Sequence, residues 1–237
     1  MGDTVVGVVS DIHGNLPALE AVMNDMPRVD YVLCAGDIVG MLGWNAECVD
    51  LVSNECSDTV FGNHDARVRT DFAFAPSFPA AQDEMRVVSR QLDEERVQWL
   101  SSLPDRVETS RYILAHARPF YFRDPGYPCH GFAQGDRGVL PRDFTTVGPH
   151  LDGKTALLGH THEQHAVNCD NFEGQSGLVV NPGSVGVPFY EPAEYAVVNL
   201  DTQEYDLRQA EYDVSFVEDR LDAVGLDPDD YIESQYR

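Results

Sequence analysis

Five short apolar runs in this chain each lead into a histidine, aspartate or asparagine, and no other feature constrains the fold as much. The runs are 4–9 before Asp11, 31–35 before Asp37, 59–61 before Asn63, 112–115 before His116 and 155–158 before His160. Each reads as a buried strand of a parallel sheet, being short, apolar and bounded by polar or glycine positions. Open α/β sheets bind ligands beyond the carboxyl ends of their strands, so polar residues placed there converge on one crevice although they lie far apart in sequence. The residues after the runs form compact motifs: Asp11-Ile12-His13-Gly14-Asn15, Gly36-Asp37, Gly62-Asn63-His64-Asp65 and Gly159-His160-Thr161-His162, with His116 standing between the last two. Imidazole and carboxylate are the usual ligands of a divalent ion of borderline softness, and two such ions need roughly seven side chains, one of them shared. The alternative, histidines that merely satisfy polar groups in a core, is a poor account of five of them at strand ends.

Taken together the motifs resemble the calcineurin-like metallophosphoesterases, and within them a small bacterial and archaeal phosphodiesterase-like branch. Residues 11–20 read DIHGNLPALE, 36–40 read GDIVG and 181–186 read NPGSVG, and the resemblance runs from about residue 5 to about residue 201. It implies a four-layer αββα sandwich, an α/β fold of two mixed β-sheets flanked by helices. Carried over by position, it implies that Asp11, His13 and His162 hold one metal ion and Asn63, His116 and His160 a second, with Asp37 bridging. The implied ions are divalent transition metals, manganese first, with iron, zinc, nickel or cobalt possible for such ligands. A hydroxide shared by the two ions would attack phosphorus in line, while His64, beside Asn63 but off the metals, would protonate or hydrogen-bond the departing ester oxygen.

The implied activity is therefore binuclear-metal-dependent phosphoester hydrolysis, of a diester rather than a monoester. Two alternatives stay open: a phosphomonoesterase or a protein or nucleotide phosphatase of the same fold, and an interaction scaffold built on that fold with a degraded metal site. The filled ligand positions point to an enzyme. Protein phosphatases and diadenosine tetraphosphate hydrolases of this fold carry G-D-x-V-D-R-G, whose second Asp orients the catalytic histidine. Here that position is Gly40. The group that orients His64 is thus left open, with Asp65 adjacent in sequence but expected to point away from it on an extended strand end.

Charge speaks to habitat and partners. Forty acidic residues stand against 16 basic ones, giving a formal charge of −24, and Lys154 is the one lysine. The acids are spread along the chain, so they form a solvated surface rather than an acidic tail. Such a surface repels itself in dilute buffer and is tolerated where molar salt shortens the Debye length to ~3 Å, which suggests a halophilic, cytoplasmic protein. It also lacks the basic stripe that a long nucleic acid needs, leaving a small phosphoester, possibly a nucleotide, as the expected partner. No signal-peptide pattern and no run of ~18 apolar residues is present, so no membrane is expected. The five cysteines, Cys34, Cys48, Cys56, Cys129 and Cys169, form no C-x-x-C pair and read as reduced thiols.

Length and composition fit one domain over 1–237, with 118–151 a loop-rich insertion near the site and 228–237 a C-terminal tail. Helices are expected over 16–26, 48–56, 83–103 with a break near Asp93, and 214–224. Strands expected at 164–167, 178–180, 195–200 and 205–209 would build the second sheet. The insertion's Phe120, Tyr121, Phe122, Tyr127, Phe132 and Phe144 read chiefly as loop anchors, with stacking on a nucleobase as the alternative. Asn15 and the 181–186 turn could border a phosphate pocket or serve only the local backbone.

Overall fold

The computed structural model describes residues 2–40, 42–68, 79–119, 139, 147–169, 176–187 and 191–224, with backbone alone for 79–83. Most of the 118–151 insertion, including its six aromatics, and the 228–237 tail lie outside the described residues. The first half runs β1 (Val5–Val9), α1 (Leu16–Asp25), β2 (Tyr31–Cys34), α2 (Asn45–Glu55), β3 (Cys56–Thr59), α3 (Asn63–Ala66), α4 (Pro79–Gln91) and α5 (Glu94–Ser102). The second runs β4 (Arg106–Glu108), β5 (Tyr112–Ala115), β6 (Thr155–Leu157), β7 (His165–Asn168), β8 (Leu178–Asn181), β9 (Ala193–Asn199), β10 (Tyr205–Ala210) and α6 (Ser215–Val224).

Two mixed five-stranded sheets result, in the orders β10-β9-β1-β2-β3 and β4-β5-β6-β8-β7. In the first, β1, β2 and β3 are parallel and β9 adds antiparallel to β1. In the second, β5, β6 and β8 are parallel, with β4 and β7 antiparallel at the edges. Period-two alternation sorts the strand side chains between cores. Val6, Val8, Leu33, Tyr112, Leu114, Leu157, Val180 and Val198 meet between the two sheets. Val9 and Cys34 face the helices, where Leu19 and Val22 of α1, Val49 and Val52 of α2, and Leu100 of α5 cover them. On the far side Ile113, Ala156 and Val179 pack under Val147 and Leu151. This is the expected α/β sandwich, with two mixed sheets inside.

The assignment of strands to sheets needs correction. β9 and β10 do not help build the second sheet; they extend the first, and the metal-motif strands divide between both. The choice between neighbouring sheets is a long-range pairing that hydrophobic pattern does not record. Two boundaries also move. α2 ends at Glu55 and β3 begins directly at Cys56, earlier than the apolar run 59–61 suggested. Asn63, His64 and Asp65 lie on one short helical turn rather than an extended strand end.

Helix termini follow their local chemistry. Asn15 caps α1 by accepting from the Ala18 amide at 3.2 Å, and Pro17 sits in the first turn where no donor is needed. Asp93 caps α5 by accepting from the Arg96 amide at 3.1 Å, which explains the break between α4 and α5.

Candidate metal centre

Backbone conformation already marks the site. Asp11 (φ 55°), His13 (50°), Asp37 (53°), His160 (69°) and His162 (56°) all occupy the left-handed region. Asp and His tolerate it better than most residues, yet each such placement costs about 1–3 kcal/mol and persists only where neighbours hold it. The neighbours are visible. The Asp37 carbonyl accepts from the Ile12 and His13 amides at 2.8 and 3.0 Å, and Asp11 and Gly14 donate to Gly36 and Ile38 at 2.9 Å each, fastening the loop after β1 to the loop after β2. From behind, the Val185 and Gly186 amides donate to Ser10 and Asp11 at 3.0 Å, and Ser184 Oγ donates to the Asp11 carbonyl at 2.8 Å. Asn181 Nδ2 donates to the Gly159 carbonyl at 2.8 Å and to Thr161 Oγ1 at 3.0 Å. The 181–186 turn is therefore a brace for two metal loops. Asn15 is a strut as well, its Nδ2 donating to the Gly186 carbonyl and to Tyr212 Oη, both at 3.1 Å.

These loops and α3 bring all eight sequence-predicted residues together at the carboxyl ends of strands from both sheets. Asp11 and His13 come from the loop after β1, Asp37 from the loop after β2, Asn63 and His64 from α3, His116 from just past β5, and His160 and His162 from the loop after β6. His162 Nε2 lies 3.2 Å from Asp11 Oδ1 and 3.2 Å from His13 Nε2. His116 Nε2 lies 3.1 Å from Asp37 Oδ2 and 3.2 Å from Asn63 Oδ1, which is itself 2.9 Å from His160 Nδ1. Ligands placed ~2.1 Å from a cation at tetrahedral or octahedral angles stand ~3.0–3.4 Å from one another, so these contacts match edges of coordination shells. The tautomer of His116 fits too. Its Nδ1 faces the Ala35 carbonyl at 2.8 Å and donates to it, which leaves Nε2 as the nitrogen turned toward Asp37 and Asn63. Three donor groups capable of holding a cation emerge: Asp11, His13 and His162; His13, Asp37 and His64; and Asp11, Asp37 and His116.

Electrostatics favour a cation here. Burial works against ionised Asp11, but His162 and His116 outweigh it and hold the carboxyl well below its usual range. Asp37 behaves alike: burial opposes its charge, and His116 and His64 more than compensate. Burial likewise opposes a proton on His116, yet Asp37 and Asp11 push its pKa up to about 9. On His13 burial and the neighbouring His64 both act downward, leaving it neutral. Two buried anions thus face a ring of imidazoles, a set that suits divalent metal ions.

His64 has a partner that sequence reading did not find. Its Nδ1 is hydrogen-bonded to Glu84 of α4, and Glu84 Oε2 accepts from Arg67 Nη1 at 2.9 Å. Burial lowers the His64 pKa, but Glu84 and Asp37 turn the net shift upward. Asp65 serves the backbone instead, accepting from the Ile38, Val39 and Gly62 amides at 2.9, 3.1 and 2.9 Å. Gly62 has to be glycine, since a Cβ there would stand 2.1 Å from Asp37 Oδ1.

Comparison with known proteins places the fold in a family. Residues 5–203 match the family described as the calcineurin-like phosphoesterase superfamily domain. The chain is 27% identical over 229 residues to the uncharacterized protein MJ0912 of Methanocaldococcus jannaschii, covering 90% of each chain. It superposes on a metallophosphoesterase crystal structure from Sphaerobacter thermophilus with a TM-score of 0.77 at 26% identity, over 96% of both chains. The hypothetical protein PH1004 from Pyrococcus horikoshii OT3 shares the fold with a TM-score of 0.74 at 19% identity, over 97% of this chain and 96% of that one. The chain belongs to the calcineurin-like phosphoesterase superfamily and is a metal-dependent phosphoesterase.

Proposed function

We propose that the protein is a phosphodiesterase working with two divalent transition-metal ions, manganese in preference to iron, zinc, nickel or cobalt. The observation that carries this reading is the position of Asp37. Its Oδ2 lies 3.1 Å from His116 Nε2 and 3.9 Å from His13 Nε2, so one carboxylate faces both halves of the donor set. Asp11, His13 and His162 would hold one ion, Asn63, His116 and His160 the other, and Asp37 both. When bound, the ions supply Lewis-acid polarisation of the phosphoryl group and acidify water to a usable nucleophile.

The protein's own residues do the rest. Asp11 and Asp37 are the two buried carboxylates that would offset the cations' charge. His116, fixed through its Ala35 bond, and Asn63 keep the second half of the set in register. His64 Nε2 lies 4.0 Å from Asp37 Oδ2 and faces the same crevice, where it gives a proton to the departing ester oxygen. The preference for a diester is supported by the likeness of residues 11–20 and 181–186 to the phosphodiesterase-like branch. A small substrate, of nucleotide size or below, suits a surface carrying −24 charges, which would repel a long polyanion. The same charge supports a halophilic, cytoplasmic setting. Among the described residues no helix is long and apolar enough to cross a membrane.

The test is metal reconstitution followed by elemental analysis and assays on paired aryl phosphodiester and phosphomonoester substrates at high salt. Two ions per chain are expected, chelation should abolish turnover, and Asp37→Asn should depress the loading of both ions. Full activity with one ion per chain would overturn the binuclear reading, and faster turnover of the monoester would overturn the diester preference.

A further inference from the structure

Glu84 is a buried carboxylate, 4% exposed, on α4, which carries none of the proposed metal ligands. It reaches His64 Nδ1 with one oxygen and Arg67 with the other. Arg67 Nη1 also approaches Nδ1 at 3.1 Å, but guanidinium nitrogens only donate, so a protonated Nδ1 can bond to Glu84 and not to Arg67. Arg67 therefore steadies the carboxylate. The loop after β2 is unable to furnish such a group from its own side. A Cβ at Gly40 would stand 2.7 Å from His13 Cα and 2.8 Å from the His13 carbonyl oxygen, so backbone fills that place.

We propose that Glu84 is the positioning residue for His64: it accepts from Nδ1–H, fixes that tautomer, and thereby turns Nε2 toward the leaving-group side of the crevice. This rests on the proton-donor role given to His64 above. The helix is built for the task. Glu84, Val88 and Gln91 recur at helical spacing on one face of α4. Val88 enters the core between helices and sheet, and Gln91 Oε1 accepts from Asn45 N at 3.1 Å and Asn45 Nδ2 at 3.0 Å. Asn45 in turn receives the Gly40 amide at 2.8 Å and donates to the Gly40 carbonyl at 3.0 Å. One helix face thus locks onto the β2 loop at one end and onto His64 at the other.

The experiment uses zinc-loaded protein labelled with ¹⁵N-histidine, in which long-range proton–nitrogen correlations distinguish the two tautomers. The His64 signals are identified by their loss in His64→Asn. Wild type should show His64 protonated at Nδ1, Glu84→Gln should keep that pattern because its amide oxygen still accepts, and Glu84→Ala should lose it. In parallel, kcat on a diester with a poor leaving group should fall roughly 10- to 100-fold in Glu84→Ala with KM and metal content unchanged, and Glu84→Gln should recover most of it. A bare Nδ1 in wild type, or an unchanged tautomer in Glu84→Ala, overturns the proposal. So does equal damage by Ala and Gln accompanied by metal loss, which is the signature of a merely structural role. If wild type hydrolyses no diester, the phosphodiesterase reading fails while the tautomer measurement still decides the role of Glu84.

Discussion

Neighbouring residues at the site divide the labour. Asn63 Oδ1 faces two imidazoles, whereas His64 turns its ring to Glu84 on one side and the crevice on the other. His64→Ala should leave metal content intact and lower turnover of alkoxide-leaving diesters by about 10²–10⁴-fold, with far less effect when the leaving group is nitrophenolate. Equal loss on both substrates would assign the ring to charge stabilisation instead. A second outcome concerns His116. In metal-free protein its pKa stands near 9, because Asp37 outweighs the effect of burial, so below that value an incoming cation must displace its proton. Apparent metal affinity should therefore climb by up to about tenfold per pH unit toward pH 9 and flatten above it, as read by chelator competition. A flat profile below pH 9 would remove His116 from the ligand set. The proposed ligand residues could be picked out in sequence because their motifs follow apolar runs. Glu84 was not, since a lone glutamate on an amphipathic helix reads as solvated surface and only the fold shows it buried.

Among the elements, the strand order ties the site to the interface between the sheets. Its loops rise from β1 and β2 of one sheet and from β5 and β6 of the other, so the crevice cannot open without parting the interface between the sheets. Four of the five apolar runs mark strands, β1, β2, β5 and β6, whereas the run 59–61 only overlaps the end of β3. They did not tell which sheet each strand joins, because β9 pairs with β1 across nearly the whole chain, for example Val6 with Val198. Nor did they show that 63–66 is helical, a turn set by Asp65 binding the Gly62 amide. At Gly40 the loop after β2 lies close against the backbone of His13, whose Cα is 2.7 Å from where a Cβ would stand. Gly40→Ala should push the two loops apart, costing about 1–3 kcal/mol of overpacking and on the order of 2–10 °C in Tm. Because His13 is the residue displaced, metal affinity should weaken as well. Calorimetry and metal titration showing wild-type values would mean that the loops yield without strain.

For the whole molecule the charge surplus governs behaviour. Arginines that make ion pairs are already committed: Arg96 to Asp50 and Asp93, Arg208 to Asp206 and Asp25, Arg106 to Glu108, which Lys154 shares. With 40 acidic and 16 basic residues, the chain carries a net charge of −24 that its own Lys and Arg cannot neutralise. At 0.1 M salt their fields reach ~10 Å and overlap, while at 1 M they reach ~3 Å and mostly do not. Stability should therefore climb steeply as KCl is raised to about 1 M, the range in which screening changes most. Any further, shallower gain above that would come from strengthened apolar burial and should be larger in sulfate than in chloride. The same field acts on substrate. An anionic phosphoester approaches a surface of like sign, so kcat/KM should increase with salt over this range, opposite to a basic nuclease, whose binding weakens as salt displaces its phosphate contacts. The two readouts separate fold from encounter: Tm reports the first, and kcat/KM measured well below Tm reports the second. Equal melting temperatures in dilute and molar KCl would show that the acidity is no adaptation to salt. A kcat/KM that falls with salt would instead show that local cationic groups, and not the net charge, steer the substrate.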